Sequence, residues 1–328
     1  MTTKFNNVYL NNTSVVAGPY LNEGPLKNCF DGVYNDFYDE EDTFEDCEIK
    51  EGKRAIDILL RKENINKDDI SVMLSSDLSN QLMISNFIAK ELKIPYFGVY
   101  NACSSFTEEL IIASFMLNNK NIKNVLCTTS SNILTSERQF RSPVEYGLQK
   151  PDYSTFTVSA STACLLSNNK SKIKIDSVTI GSVEDLNIKD GFDMGSAMTP
   201  AAAKTLNDHL IDTGRSIDYY DLILTGDLGK YGKEIFKEYC KKQYNIDLKN
   251  YNDAATLIYN EKDRDTLAGG SGPSCLPTYL FSKIIPDMQN GKFNKVLLLA
   301  TGALFSTTSI NQKKSIPCIC HAVSLEAL

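Results

Sequence analysis

Apolar positions along the chain follow two periods. Spacings of three and four predict helices, and short continuous apolar runs predict buried strands. Residues 1–50 are irregular apart from Val15-Val16-Ala17-Gly18-Pro19, which reads as a short strand ending at a Gly-Pro turn. Residues 50–63 predict a helix through Ala55, Ile56, Ile58, Leu59 and Leu60. A turn at 66–69 leads to a strand over 70–75 that ends at Asp77, and Met83, Ile84, Phe87, Ile88 and Leu92 predict a helix over 81–92. An apolar run over 95–100 then arrives at Asn101-Ala102-Cys103-Ser104-Ser105. A helix pattern leaves from Phe106 through Leu110, Ile111, Ala113, Ser114 and Leu117. Cys103 therefore belongs at or just before a helix N-terminus, where free N–H groups and the helix dipole favour a thiolate or a bound anion. After a turn at 119–124, residues 125–129 predict a strand.

The second half repeats landmarks of the first. The strand before Asp227-Leu228 echoes the one before Asp77-Leu78, at an offset of 150 residues. Ala268-Gly269-Gly270-Ser271-Gly272-Pro273-Ser274-Cys275 precedes an apolar helix pattern, as Cys103 does, at an offset of 172. The strand at Val296 echoes the strand at Val125, at an offset of 171. Three echoes in one order imply an internal duplication: two βαβαβ halves, each with a buried central helix. The expected division is 1–175 and 176–328, with residues 129–150 inserted in the first half. That insert holds Arg138, Arg141 and Lys150 with Glu137, Glu145 and Tyr146 and has no clear periodicity. It reads either as a solvated excursion or as a loop covering a site. Residues 151–166 are a further strand region rich in small residues, and 190–203 read as a Gly-rich loop entering a helix with Pro200 near its start.

Composition narrows the class. The chain has 328 residues, 42% apolar and 23% charged, as expected of a soluble globular protein. A net charge of −7 argues against nucleic acid as a partner. The acidic run over 36–48 reads as a solvated loop or as the acidic first turn of the next helix. No apolar run is long enough to span a membrane and no apolar signal core opens the chain, so cytoplasmic synthesis is expected. Nine scattered cysteines, of which only Cys318 and Cys320 are close, favour free thiols over disulfides or a metal site. No cofactor is indicated.

The duplicated halves, the cysteine before a buried helix and the Gly-rich loop at the matching place resemble the thiolase superfamily. Within it, the chain resembles the stage V sporulation protein AD family over almost its whole length. The stretches that carry this are Ala17-Gly18-Pro19 with Gly24-Pro25-Leu26, Ala102-Cys103-Ser104, Glu137-Arg138-Gln139-Phe140-Arg141 with Glu145-Tyr146-Gly147 and Gln149-Lys150-Pro151-Asp152, Phe192-Asp193-Met194-Gly195-Ser196-Ala197-Met198, the run over 222–228, the run over 268–272, and Ala300-Thr301-Gly302-Ala303-Leu304. The resemblance implies an α-β-α-β-α layered thiolase-like fold. It also implies binding of dipicolinate (pyridine-2,6-dicarboxylate) and action with other stage V sporulation A proteins at the membrane of the developing spore. Relatives of this fold usually form homodimers, through the strand near Val125.

Condensing enzymes of the superfamily need a base to activate the thiol and donors to hold an oxyanion. They carry a histidine after the first strand of the second half and a histidine or asparagine in the Gly-rich loop. This chain has Thr225-Gly226-Asp227-Leu228-Gly229 and Gly269-Gly270-Ser271-Gly272 at those places. Of the two histidines, His209 falls in a helix-like run and reads as a surface or packing residue. His321 either faces Cys103 across the site or ends a strand. Asp227, placed near Cys103, would raise the thiol pKa. The catalytic set is thus incomplete, with Cys103 as a candidate nucleophile and His321 as its possible partner. A dipicolinate site needs cations or oriented N–H groups for two carboxylates and an aromatic slot for the ring. Candidates are Cys103, Ser104, Arg138, Arg141, Tyr146, Lys150, Asp227, Ser271 and His321, with Phe140 or Phe192 as further slot walls. The competing reading is that Arg138 and Arg141 pair with Glu137 and Glu145 to hold the loop. Binding without chemistry is the first expectation, and acyl transfer at Cys103 is the alternative.

Overall fold

Two copies of one strand-and-helix pattern run through the computed structural model, which describes residues 1–260 and 264–328. The first copy comprises β1 (Tyr9–Ala17), α1 (Phe44–Glu63), β2 (Val72–Ser76), α2 (Met83–Leu92), β3 (Tyr96–Gly98), α3 (Ser105–Met116), β4 (Asn124–Ser131), α4 (Ile133–Phe140) and β5 (Ala160–Ser167). The second comprises β6 (Ile173–Thr179), α5 (Met194–Thr213), β7 (Leu222–Thr225), α6 (Gly229–Tyr244), β8 (Tyr251–Asp253), α7 (Cys275–Tyr279), β9 (Lys295–Ala303) and β10 (Cys318–Ala327). Helix α7 continues through a π turn, Leu280–Ile284, into Ile285–Gln289. The strand order is β3-β2-β4-β5-β1 in one half and β8-β7-β9-β10-β6 in the other, the same order twice. In each half the first three strands of that order are parallel and the last two join antiparallel. The halves meet at residues 168–172, and β1 pairs with β6 at Tyr9↔Lys174 and Leu10↔Ile173.

Strand alternation builds the layers. In β4, Val125 and Cys127 face one core, which also holds Phe106 and Leu110 of α3 and Leu276 of α7. Leu126 faces the opposite side, against Ile56 and Leu59 of α1 and Ile88 of α2. In β9, Leu298 and Ala300 face the central helices, while Leu297 and Leu299 face Leu206 of α5 and Phe236 of α6. The result is helices, sheet, central helices, sheet, helices. Phe106 and Phe281 meet edge to face, with centroids 5.5 Å apart, and join the two central helices.

Several local expectations change. Residues 1–50 are not irregular: Thr2–Lys4 pairs with β6, and β1 starts at Tyr9. Helix α1 starts at Phe44, where the Thr43 side chain accepts the Asp46 N–H at 3.0 Å. Its first turn takes up the end of the acidic run, as one of the two readings had it, but Glu48 is buried, not solvated. Pro200 lies inside α5, because the buried stripe of Met194, Ala197 and Met198 extends that helix N-terminally, with Asp193 as its cap. Residues 129–150 are not a bare loop: β4 runs to Ser131, and Asn132 caps α4 at the Leu134 N–H. His209 is a packing residue, buried between Thr179 and Tyr220. The strand near Val125 is paired on both sides, by β2 and β5, so strand addition to a second copy has no edge there. The free edge of that half is β3.

Glu48 ties α1 to the end of β4 and to α4, since its carboxyl takes hydrogen bonds from Ser130 and Thr135, both at 2.7 Å. Burial pushes it up to about 8. The folded chain therefore keeps a proton there that the unfolded chain releases near about pH 4.3. Between those values the folded state binds more protons, so stability falls as pH rises, by up to about 1.4 kcal/mol per pH unit from this group. Thermal unfolding between pH 6 and pH 8 is expected to show a falling midpoint, and Glu48→Gln to flatten that fall. An unchanged slope in the variant would remove Glu48 from this account.

Candidate functional site

The strand β3 is followed by a sharp turn into α3, and the turn is strained. Ala102 has φ +51°, a left-handed conformation uncommon for a residue with a Cβ. It is held from both sides. Ser105 Oγ accepts the Asn101 N–H at 2.8 Å and donates to the Ala102 carbonyl at 2.8 Å. Across the halves, a Cβ on Gly302 would lie 2.3 Å from the Asn101 carbonyl oxygen, so β9 approaches this turn as closely as only glycine allows. Ser104 donates to the Ala300 carbonyl at 2.9 Å. The turn is thus clamped to the second half, and Cys103 sits where the two halves meet.

The Cys103 thiol faces the carboxyl of Asp227, which comes from the end of β7, and a backbone N–H of Gly272. Asp227 also accepts a hydrogen bond from Thr301 of β9. Burial raises Cys103 well above the usual thiol range, and Asp227 raises it further; the Gly272 N–H opposes this. Burial also pushes Asp227 up to about 7, against the opposing hydrogen bonds of Thr301 and Cys103. Cys103 is therefore a protonated thiol near neutral pH. The second cysteine at a central helix start, Cys275, is inert in the same way: burial raises it, and its thiol points at the Gly226 carbonyl 3.2 Å away.

Cys103 opens on a narrow slot of about 30 Å³, lined by Leu78, Ser136, Phe140, Arg141, Ser271 and Phe305 among others. Gly270–Ser271 is not a loop but a short strand beside Phe156–Thr157, which brings Ser271 and Thr157 to the slot together. Glu137 of α4 takes both Arg141, at 2.7 Å, and Lys150, at 2.8 Å. Two cations on one carboxylate leave a surplus positive charge beside the slot. Arg141 also donates to the Gly191 carbonyl and lies over the Phe192 ring, 5.1 Å from its centroid. Leu78, Phe140 and Phe305 separate the slot from an outer vestibule of about 720 Å³. The vestibule wall carries no charged residue; its polar groups include Asn80, Gln81, Asn101, Gln139 and Ser306.

His321, from β10, is engaged elsewhere. Its Nδ1 accepts the Gly181 N–H at 3.1 Å. A neutral imidazole then carries its proton on Nε2, which lies 3.1 Å from the Asn101 side-chain amide. Nε2–H donates, so the Asn101 amide is assigned with its oxygen toward His321. Burial holds His321 down at about 4, so the ring is neutral at pH 7. Neither ring nitrogen has a lone pair to spare for the thiol.

Of the residues expected at the site, Cys103, Arg141 and Ser271 line the slot, Asp227 faces the thiol, and Lys150 reaches Glu137 just behind the wall. Three expectations are corrected. Arg138 points away, pairs with Glu45 at 3.0 Å and stacks on Phe44. Tyr146 is 72% exposed on the short turn after α4. The Ser104 side chain binds backbone, not the slot. Sequence reasoning missed Leu78, Ser136, Met194 and Phe305 as walls and Thr301 as the partner of Asp227. Thr301 and Met194 stand inside the runs that carried the family resemblance, which was the available signal; Ser136 and Phe305 stand in no motif.

The family model for stage V sporulation protein AD matches residues 1–326. Stage V sporulation protein AD of Bacillus subtilis (strain 168) is 42% identical over 320 residues, 97% of this chain and 94% of the relative. Among solved structures, 3-oxoacyl-acyl-carrier-protein synthase III from Aquifex aeolicus VF5 matches with a TM-score of 0.59 and 12% identity, over 97% of this chain and 99% of that one. An OleA variant from Xanthomonas campestris matches with a TM-score of 0.62 and 15% identity, over 99% of both chains. At such identities these two structures establish the thiolase-like fold and no more.

The contact between thiol and carboxyl sets the reactivity of Cys103. Asp227→Asn removes a negative charge that disfavours the thiolate, so the thiol pKa falls. Alkylation by iodoacetamide at pH 7.5 is expected to be slow in the native chain and about tenfold faster in the variant, one pKa unit being a factor of ten in thiolate. Equal or slower alkylation in the variant would contradict the assignment.

Proposed function

Because the chain belongs to the stage V sporulation protein AD family, we propose that it binds dipicolinate without turning it over. In this reading it supports uptake of dipicolinate into the developing spore, with other stage V sporulation A proteins. No helix among the described residues is long and apolar enough to cross a membrane, and the proposed attachment to the spore membrane runs through those partners. The observation that carries the reading is the surplus cation at Arg141, Lys150 and Glu137 beside a slot whose thiol is held protonated.

Dipicolinate is a flat dianion at neutral pH. The slot, at about 30 Å³, has room for one carboxylate but not for an aromatic ring. One carboxylate therefore enters past Phe140 and Phe305 toward Arg141 and the N–H of Gly272. The ring lies on the two phenylalanines, themselves 5.5 Å apart, at the inner end of the vestibule. The second carboxylate meets the neutral donors Gln139 and Ser306. Asp227, raised to about 7, does not oppose the anion when protonated. A second reading is acyl transfer at Cys103. In its favour is the position of the thiol at the start of α3 in a fold shared with 3-oxoacyl-acyl-carrier-protein synthase III. Against it stand the raised thiol and the two occupied nitrogens of His321.

Calorimetric titration tests the first reading. Dipicolinate is expected to bind and isophthalate, which lacks the ring nitrogen, to bind far more weakly. Arg141→Ala is expected to cost roughly tenfold to a hundredfold in affinity, the worth of a hydrogen bond to a charged group. Absence of dipicolinate binding at millimolar ligand would end this reading. An acyl thioester is expected to leave Cys103 unmodified on mass spectrometry; stoichiometric acylation would favour the second reading instead.

A further inference from the structure

Beyond the slot and the vestibule lies a third concavity of about 460 Å³, lined by Asp185, Asn187, Lys189, Leu304, Ser309, Lys313, Lys314, Ser315 and Pro317. It shares Leu304 and Ser309 with the vestibule, which in turn shares Leu78, Phe140 and Phe305 with the slot. The three are neighbours in that order, each divided from the next by the side chains it shares with it. Their charge differs. The outer depression carries three lysines against one aspartate, the vestibule is neutral, and the slot has Arg141.

The backbone that carries the lysines is hydrogen-bonded. Glu184 and Cys318 exchange two backbone hydrogen bonds, each 2.8 Å, and the Ile316 N–H donates to Ile188 at 2.8 Å, so residues 184–188 and 316–318 form a ribbon beneath them. Lys313 takes a left-handed conformation, φ +57°, and its N–H closes on Ile310 at 2.8 Å; the Lys314 N–H closes on Ser309 at 3.0 Å. Asp185, the acid of this wall, is already engaged by the Ser315 hydroxyl at 2.6 Å and the Asn187 N–H at 2.7 Å. Among the described residues no ion pair uses the ammonium group of Lys189, Lys313 or Lys314. In a chain of net charge −7, three unpaired cations around one hollow are a local inversion of the field. The net charge repels a dianion at long range, and these lysines attract it locally.

We infer that Lys189, Lys313 and Lys314 form an outer collecting station for small dicarboxylate dianions, from which the ligand passes through the vestibule to the slot at Cys103. The inference rests on the proposed binding of dipicolinate and adds how that ligand arrives. A collecting station acts on encounter, so its removal changes the association rate and leaves dissociation from the slot as it was.

The test measures association and dissociation of dipicolinate on the immobilised chain at 20 and 300 mM salt. The native chain is compared with Lys189→Ala/Lys313→Ala/Lys314→Ala and with Lys120→Ala/Lys123→Ala/Lys172→Ala. The last removes the same charge at exposed lysines remote from the site, two of them beyond the C-terminal end of α3. The station variant is expected to associate about tenfold more slowly at low salt, with a flattened salt dependence and an unchanged dissociation rate. The remote variant is expected to change little. Equal association in the two variants would overturn the station while leaving the slot reading intact. A native chain that binds no dipicolinate would overturn both, and that result is visible before any variant is made.

Discussion

Two helices, α3 and α7, have apolar residues on every side, and this is the constraint on which the architecture rests. A helix with one apolar stripe needs one sheet. Phe106, Leu110, Ile111 and Ala113 of α3 and Leu276, Leu280 and Ile284 of α7 and its continuation are buried in one core between the sheets. Such helices are covered best between two sheets, and here each half supplies one helix and one sheet to a shared core. The enclosure has a local consequence. The chain must turn into α3 inside the molecule, where unpaired backbone groups are costly. Ser104, Ser105 and the close pass of Gly302 satisfy and hold that turn, with Ala102 left-handed as the strained residue.

That burial decides the chemistry of Cys103 by setting two effects against each other. The start of a helix favours a thiolate by roughly 0.3–1 kcal/mol, at most about 2. Complete burial disfavours any charge by considerably more, and the Asp227 carboxyl adds to the penalty. A thiolate would need a cationic partner to tip the balance. The nearest imidazole, His321, is neutral and committed to Gly181 and Asn101. The expectation of a helix-activated cysteine therefore fails on magnitude, while the expectation that Asp227 would raise the thiol holds.

What could be read in the sequence follows from which residues carry a periodic signal. The duplicated strands, the position of Cys103 and the two central helices were legible because long apolar runs leave little freedom. The pairing of Asp227 with Cys103 was legible only as a conditional, since it spans the two halves. The burial of Glu48 could not be read from the acidic run it ends, because burial of that acid depends on Ser130 and Thr135 arriving from distant elements. Helix α4 was unreadable for a related reason. Its inward face is Thr135, Ser136 and Glu137, polar residues that hide the period.

That same helix links the fold to the site. α4 spans Ile133–Phe140, too short to be stable as an isolated helix. It persists because Asn132 caps it, Glu48 holds Thr135, and Glu137 gathers Arg141 and Lys150 behind it. From one face it presents Ser136 to the slot and from its end Phe140, which stands between slot and vestibule. The surplus charge, the polar wall and the aromatic gate are thus properties of one short element with almost no intrinsic stability. Their geometry is set by buried polar contacts reaching it from α1 and from the chain beyond it. Selectivity for a flat dianion, on the proposed reading, would then depend less on the thiol than on how firmly those contacts hold α4 against the sheet.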